Sequence, residues 1–201
     1  MKMKVRTKIL SAILHDGPCS QAELARKCEA SPSAVSEECR RLIDEGILSK
    51  SRKIRAANGR SGALLEIDIT RRFAVGIGMC CGVMSAGIIT LDGRTLEKET
   101  AAISESDSGG QMIAQIEKTL ARLLENCCLS SENILGIGVC MDSGLFGVLG
   151  EGLSGLAGGY PTFFESADEY LAYSQAYMPI NPEEMYVFGG AKVIRELLLK
   201  D

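Results

Sequence analysis

Apolar residues near the start of the chain recur at helical spacing. Four of them fall on one face and define it: Val5, Ile9, Ala12 and Ile13. The period ends at Asp16-Gly17-Pro18, a sequence that favours a helix end because glycine and proline both leave helical geometry readily. We therefore predict a first helix that ends near this tripeptide and serves mainly as scaffold.

A second helix is predicted by its start signal. Ser20-Gln21-Ala22-Glu23 fits a capping box, in which the serine oxygen accepts a hydrogen bond from the amide three residues on and the glutamate reaches back. A helix of about nine residues follows, a length that such signals allow. We expect its core side to carry Leu24, Ala25 and Cys28.

A third helix is predicted after a turn at Glu29-Ala30. Ser31 is placed to cap it, and Pro32 takes the first helical position, where its missing amide costs nothing. The helix is expected to run to Glu45 with an apolar inward side made of Val35, Cys39, Leu42 and Ile43. Its outward side carries the polar set, which is Ser33, Ala34, Ser36, Glu37, Arg40 and Arg41.

A basic hairpin is predicted after the third helix. Gly46-Ile47-Leu48 closes the helix, residues 49–55 read as an extended segment, residues 56–62 as a turn with Asn58-Gly59, and residues 63–69 as a strand. Two capped helices, a tight turn and a basic hairpin together predict a winged helix-turn-helix, with the hairpin as its wing. Five basic residues of the wing are expected to project toward phosphates or a minor groove: Lys50, Arg52, Lys53, Arg55 and Arg60.

The rest of the chain alternates strands and helices. Three strands of a meander are predicted over 73–82, 83–91 and 96–103, followed by a helix over 108–126 and a buried strand over 134–141. A helix over about 166–178, a strand over 185–188 and a helix over 191–200 complete the order βββαβαβα, which suits a mixed sheet with helices on its faces. The fold class is α/β, multi-domain, with domains at 1–70 and 71–201.

The charge distribution agrees with two modules. Residues 1–62 hold thirteen Lys and Arg against seven Asp and Glu, and residues 63–201 hold nine against nineteen, so the formal charges are +6 and −10, which together give −4. A phosphate backbone responds to the local positive surface rather than to the charge of the whole chain. The 46% of hydrophobic residues is enough for a packed core in each module.

Double-stranded DNA is the expected partner of the basic module. Small hydroxyl residues at a helix start fit the major groove and contact base edges or phosphates, while arginines a turn later reach the flanking backbone. The candidate DNA-binding residues are Gln21, Ser31, Ser33, Ala34, Ser36, Arg40, Arg41, Lys53, Arg55, Asn58 and Arg60.

Two acidic residues on the third helix count against high affinity for DNA. Glu37 and Glu38 repel phosphate unless a glutamate accepts a hydrogen bond from a cytosine amino group. The alternative is that they form ion pairs at helical spacing with Arg40 or Arg41 on a solvated face. From the sequence we assign base reading to neither glutamate.

Membrane and disulfide signals are weak. No apolar run approaches the roughly 18 residues that a membrane span needs, and the first residues grade into an amphipathic helix, so we expect a cytoplasmic protein without a membrane partner. The eight cysteines show no CxxC spacing, since Cys80-Cys81 and Cys127-Cys128 are adjacent pairs. We expect mostly buried, reduced thiols and no metal site.

Catalytic signals are also weak. The only histidine, His15, lies in the first helix, and Asp142 follows a buried strand whose neighbour, the first strand, supplies Gly76 and Gly78 instead of a second carboxylate. The glycine-rich run 144–159 has no lysine and no GK[ST] ending, so it is not a P-loop and is expected to be a flexible connection rather than a ligand loop. We expect neither catalysis nor a cofactor.

The sequence resembles the ROK family of sugar-responsive repressors and sugar kinases. The motifs that carry the resemblance are GPCSQAELARKCEASPSAVSEECRRLIDEGIL, NGRSGALLEID, FAVGIGMCCGVMSAGIITLDG, ILGIGVCMDSG and NPEEMYVFGG. The resemblance implies a transcriptional regulator, a repressor, whose second domain is a single ribonuclease H-like, actin-like lobe. It also implies a homodimer and a sugar-like small-molecule effector.

The departures from the family pattern imply that the second domain is not a working kinase. Where family kinases carry an acidic residue and a Gly-Gly-Thr turn, this chain has Gly78 followed by Cys80-Cys81-Gly82, and it has no CxCGxxGC zinc signature. The middle of the family fold is largely absent, which leaves a truncated, degenerate lobe for dimerisation or effector sensing.

One alternative function stays open. A winged helix with acidic residues on its third helix is also compatible with a protein-interaction or dimerisation module that no longer binds DNA. The aromatic residues gathered late in the chain are expected either to cover an exposed sheet face or to form a dimer contact. They are Tyr160, Phe163, Phe164, Tyr170, Tyr173 and Tyr177.

Overall fold

A computed structural model describes most of the chain as two compact units. The described residues are 4–51, 63–104, 107–141, 161–166 and 186–199, together with Gly144, Leu145, Leu149, Asn181 and Glu183. One unit comprises Met1–Arg72 with Leu197–Asp201, and the other comprises Phe73–Glu196.

The first unit begins with three helices, as predicted. They are α1 (Val5–Asp16), α2 (Gln21–Cys28) and α3 (Pro32–Asp44). Their apolar faces meet in a core whose side chains are excluded from solvent: Ile9, Leu10, Leu24, Val35, Cys39 and Leu42. This core holds α3 in place and leaves its opposite face exposed.

Local capping fixes where the second and third helices begin. The Ser20 hydroxyl accepts from the Glu23 amide at 3.3 Å, and the Glu23 carboxylate accepts from the Ser20 amide at 2.8 Å, which is the predicted capping box. At α3 the Ser31 hydroxyl accepts from the Ala34 amide at 3.3 Å, with Pro32 in the first turn. Glu29 has a φ of 51° at the end of α2 and turns the chain toward α3.

Two short strands pair after α3. Strand β1 (Leu48–Lys50) runs antiparallel to β2 (Leu65–Ile67), so the two ends of the predicted hairpin lie side by side. Residues 52–62 lie outside the described residues. Strand β2 ends earlier than predicted because the Asp68 carboxylate accepts hydrogen bonds from the amide and hydroxyl of Thr70, both at 2.8 Å, and turns the chain.

The second unit contains a five-stranded mixed sheet. Its strands are β3 (Phe73–Cys80), β4 (Val83–Thr90), β5 (Thr95–Ala102), β6 (Ile134–Met141) and β7 (Thr162–Ser166), in the order β5-β4-β3-β6-β7. Strands β3 to β5 form an antiparallel meander, whereas β6 is parallel to β3 and β7 is parallel to β6. The predicted α/β class and mixed sheet are confirmed.

Helices cover both faces of this sheet. Helix α4 (Gly109–Asn126) is capped by Ser108, whose hydroxyl accepts from the Gln111 amide, and packs its buried face on one side. The shared core contains Val75, Ile77, Met84, Ile116, Leu123 and Val139. Helix α5 (Tyr186–Ile194) packs on the other side and continues into a wider π-helical turn, Arg195–Leu199.

The predicted strand at 185–188 is wrong, because Tyr186 begins helix α5. The sheet face beneath α5 carries small residues, so the helix backbone approaches the strand backbone directly. A Cβ atom on Gly76 would overlap the Tyr186 carbonyl oxygen, and one on Gly138 would overlap the Gly189 carbonyl. The fifth strand is instead β7, which ends at Ser166, the residue where a helix was expected to begin.

Candidate nucleic-acid interface

The exposed face of α3 borders a cleft of about 630 Å³. Ser33, Glu37, Arg40 and Asp44 follow one another at helical spacing along this face, and β1 contributes Lys50. The complete lining is Gln21, Ser33, Ser36, Glu37, Arg40, Ile43, Asp44 and Lys50. Four of the predicted DNA-binding residues therefore meet around one cleft: Gln21, Ser33, Ser36 and Arg40.

Burial on the inner side of α3 determines which residues face the cleft. Val35, Cys39 and Leu42 are fully buried at spacings of four and three residues, so the intervening residues turn outward. Ile43, expected inward, is only partly buried and lines the cleft edge. The sequence pattern thus predicts which residues of α3 face outward, except that it places Ile43 on the inner side.

The start of α3 presents hydroxyl groups. Ser31 caps the helix, and its hydroxyl lies 3.1 Å from the Ser33 hydroxyl, so the two side chains form a local pair at the cleft end. Ala34 occupies the first turn and is partly buried. A helix N-terminus carries unsatisfied amides and a partial positive charge, both of which favour a phosphate.

Gln21 is exposed at the first position of α2. Its neighbours Ser20 and Glu23 form the capping box, and hydrogen bonds from the Ser20 hydroxyl and amide lower the pKa of the Glu23 carboxyl. The cap fixes the first turn of α2, and Gln21 in this turn lines the cleft.

Arg41 is engaged in ion pairs and does not line the cleft. Its guanidinium contacts Glu37 Oε1 at 2.6 Å and Glu38 Oε2 at 3.4 Å. Glu38 also lies 3.4 Å from Arg6, which in turn contacts Glu45 at 2.7 Å. These pairs join α1 to α3. Both glutamates pair with Arg41 at helical spacing, as the ion-pair alternative predicts, but only Glu37 lies on a solvated face, because the Glu38 side chain is 15% exposed.

Arg40 and Lys50 are the cationic residues of the cleft. Both are exposed. Within the described part of the chain, no carboxylate forms an ion pair with Arg40. Its charge is therefore available to a ligand in the cleft, in contrast to that of Arg41.

Two arginines after the hairpin hold the far end of α3. Arg71 Nη1 donates to the Ile43 carbonyl at 3.3 Å, and Arg72 Nε donates to the Glu45 carbonyl at 3.0 Å. Cations at a helix C-terminus satisfy its free carbonyls and match its partial negative charge. This role was not predicted from the sequence, although two adjacent arginines between two strands are a visible signal.

Several predicted residues lie outside the described part of the chain. Among the DNA-binding candidates these are the wing residues Lys53, Arg55, Asn58 and Arg60. Asp142, most of the glycine-rich run 144–159 and the expected helix within 167–178 also lie outside it, as do Tyr160, Tyr170, Tyr173 and Tyr177.

The histidine and the cysteines are the remaining side chains with reactive chemistry. His15 is exposed at the end of α1, and its Nδ1 lies 2.7 Å from the Asp16 carboxylate, which also binds Lys27. All eight cysteines are free thiols, and burial raises the pKa of Cys39 to about 11. Within the described ranges, no three His, Cys, Asp or Glu side chains cluster as metal ligands. None of the helices described is both long and apolar enough to cross a membrane.

The chain is similar to known proteins in both units. Residues 4–49 match the winged helix-turn-helix DNA-binding family. An uncharacterised protein, y4fQ of Sinorhizobium fredii, is 26% identical over 207 residues, which cover 95% of this chain and 50% of the relative. The crystal structure of a ROK family transcriptional regulator, a homologue of the E. coli MLC protein, matches with a TM-score of 0.62 and 14% identity over 86% of this chain and 48% of that one.

These matches confirm the N-terminal winged helix-turn-helix, and they confirm the resemblance to a ROK regulator at the level of fold. The chain spans about half the length of the two relatives, 50% of one and 48% of the other.

Proposed function

We propose that the protein is a cytoplasmic DNA-binding transcriptional regulator, acting as a repressor, whose first unit holds duplex DNA. The observation that carries the proposal is the cleft along α3, where hydroxyl, amide and unpaired cationic groups converge. The winged helix-turn-helix family match over residues 4–49 supports it.

The cleft residues divide into two kinds of contact. In helix-turn-helix proteins the N-terminal part of the second helix of the motif contacts base edges in the major groove. In this chain that part carries Ser33 and Ser36, whereas Arg40 and Lys50 flank it and reach the phosphates on either side. Gln21, at the start of α2, contacts the backbone where the first helix of the motif crosses it.

Arg41 is not among the proposed DNA contacts. The sequence pattern groups it with Arg40 as a DNA contact, but its guanidinium is held by Glu37 and Glu38 outside the cleft. An exposed ion pair such as that of Arg41 with Glu37 contributes little stability, but it places the guanidinium against the carboxylate instead of in the cleft. Arg41 thus acts in the free protein by orienting the glutamates.

The second unit is proposed as a non-catalytic ROK-like lobe that dimerises or senses a sugar-like effector. Its mixed sheet resembles in fold that of a ROK regulator. A two-fold dimer would place two α3 helices on half-sites about 34 Å apart, one turn of the duplex. Analytical ultracentrifugation of the full chain tests the dimer. A monomer at working concentration would contradict it.

A salt titration of duplex binding by the full chain tests the DNA-binding proposal. The logarithm of the binding constant should fall linearly with the logarithm of salt concentration, because each neutralised phosphate releases counterions. Arg40→Ala and Lys50→Ala should each reduce the slope by about one on every sequence.

Lys118→Ala provides the matched control. Lys118 is exposed on α4 in the second unit and is not among the cleft residues, and its removal changes the net charge by the same amount. It should leave the slope unchanged. Absence of salt-dependent duplex binding by the unaltered chain would reject the proposal and favour a protein-interaction module.

A further inference from the structure

Glu37 occupies the middle of the α3 face that borders the cleft. It follows Ser33 by four residues and precedes Arg40 by three, so the three side chains share one stripe. In the docking geometry of helix-turn-helix proteins the N-terminal part of this helix meets base edges, and Glu37, the sixth of the thirteen residues of α3, lies at the end of that part. Along the stripe, Glu37 lies between the hydroxyl of Ser33 and the guanidinium of Arg40, which is proposed to contact phosphate.

The ion pair with Arg41 occupies one carboxylate oxygen of Glu37 and leaves the other to accept a hydrogen bond. Arg41 binds Oε1 at 2.6 Å, and among the described residues no group binds Oε2. The Glu37 side chain is 54% exposed and lines the cleft. The adjacent guanidinium offsets the negative charge, which lowers the cost of bringing a carboxylate near DNA.

The chemistry of a carboxylate selects among the four bases. An ionised carboxylate only accepts hydrogen bonds, so it is repelled by the guanine edge, with O6 and N7, and by thymine O4. Adenine offers the N6 amino donor beside the N7 acceptor, whereas cytosine offers its N4 amino group without a neighbouring acceptor in the major groove. Cytosine is therefore the base that matches Oε2.

The other cleft residues do not supply the same selection. Ser33 and Ser36 carry hydroxyls that both donate and accept, so they tolerate several bases. Asp44 lies seven residues beyond Glu37, about 10 Å along the helix, beside the part of α3 assigned to phosphate contacts.

We infer that Glu37 is a specificity-determining residue that accepts a hydrogen bond from the N4 amino group of a cytosine in the major groove. This inference rests on the proposed DNA-binding function. Arg41 is a positioning residue in this arrangement, because it holds the carboxylate and touches no base.

Selection from a random duplex library, followed by substitution of each position of the preferred sequence, tests the inference. The unaltered chain should prefer cytosine at one position by roughly fivefold, near the lower end of what a side-chain contact to a base provides. Glu37→Ala should abolish that preference, and Glu37→Gln should extend it to adenine, which glutamine binds through N6 and N7.

The readout is the ratio of affinities for two bases at one position, measured with the same protein. A uniform rise in affinity from the lost negative charge cancels in that ratio. Glu125→Gln, on the exposed face of α4 in the second unit, gives the same change of charge at a residue that does not line the cleft and should retain the cytosine preference.

The possible failures are distinguishable. If the unaltered chain binds no duplex at low salt, the proposed function fails and the inference fails with it. If it binds duplex and the Glu37 variants keep its base preferences, or raise affinity equally on all sequences, the function stands and Glu37 is only a repulsive charge.

Discussion

The backbone amide of Tyr186 donates a hydrogen bond to the hydroxyl of Ser85 at 3.3 Å, inside the second unit. The phenol oxygen of Tyr186 also lies 3.0 Å from the hydroxyl of Thr95. The first turn of α5 is thus fixed to strands β4 and β5 by polar contacts as well as by backbone packing.

Gly76→Ala should destabilise the second unit by at least about 1–3 kcal/mol, the usual cost of overpacking a core. The added methyl group meets the Tyr186 carbonyl oxygen, which belongs to the backbone and has no rotamer with which to move away. Denaturant unfolding followed by circular dichroism measures the loss.

Gly110→Ala is the control for this glycine. Gly110 lies in the first turn of α4, where an added Cβ meets no atom within 4 Å. Alanine there should stabilise the unit by a few tenths of a kcal/mol to about 1 kcal/mol, because glycine loses more backbone entropy on folding. Equal effects of the two substitutions would contradict the close packing of α5 on the sheet.

Ser20→Ala should destabilise the first unit by about 1 kcal/mol at neutral pH, since it removes the cap of α2. Ser36→Ala, on the exposed face of α3, is the matched serine control and should leave stability unchanged or slightly higher. The free energy of unfolding of both variants is compared with that of the unaltered chain.

The same cap predicts a pH dependence. Because hydrogen bonds from Ser20 lower the pKa of Glu23 in the folded chain, the cap stabilises the fold at pH values above the ordinary glutamate pKa of 4.5. This contribution is lost as the pH falls through the lower folded pKa, when the carboxyl is protonated. The stability difference between Ser20→Ala and the unaltered chain should therefore shrink in acid, and a difference independent of pH would argue against the cap.

Arg41→Ala should weaken DNA binding much less than Arg40→Ala, although the two arginines are adjacent and lose the same charge. Arg41 is paired with Glu37 and Glu38, whereas Arg40 lines the cleft without an ion-pair partner among the described residues. The salt slope of duplex binding separates them, because only the loss of a phosphate contact lowers it by about one. If both variants lower the salt slope equally, Arg41 also contacts a phosphate and the assignment is wrong.

Cys81 and Cys128 should react first with a thiol reagent, because they are the exposed thiols of the folded chain. Cys39 should react only after unfolding, since burial both blocks access and raises its pKa to about 11. Mass spectrometry of peptides after a short pulse of iodoacetamide gives the order. Early labelling of Cys39 would contradict the packing of α3 on the core.

Local signals predict much of the first unit. The caps at Ser20 and Ser31 act within four residues, so the sequence alone indicates where α2 and α3 begin and which face of α3 is exposed. The partner of Arg41 depends on side-chain geometry, and the contact of Arg6 with Glu38 depends on the packing of α1 against α3. Neither follows from spacing alone.

The second unit shows where local patterns are insufficient. An apolar run such as 185–188 suits a buried strand and a buried helix equally. Glycines far apart in the chain decide between them, because Gly76 and Gly138 leave room for a helix backbone next to the sheet. The meander, whose strands are separated by the turns at Cys81-Gly82 and Asp92-Gly93, and α4, whose apolar residues recur at helical spacing, needed no such distant information.

The hydrogen bonds from Arg71 and Arg72 to the end of α3 define how short an independent DNA-binding fragment can be. A fragment that stops at residue 70 loses both guanidiniums and leaves the carbonyls of Ile43 and Glu45 to water. The last turn of α3, next to the cleft residues Arg40 and Asp44, is then free to fray. A fragment of the three helices and the hairpin for binding or NMR work therefore calls for a boundary after Arg72, although it omits Leu197–Asp201 of the same unit.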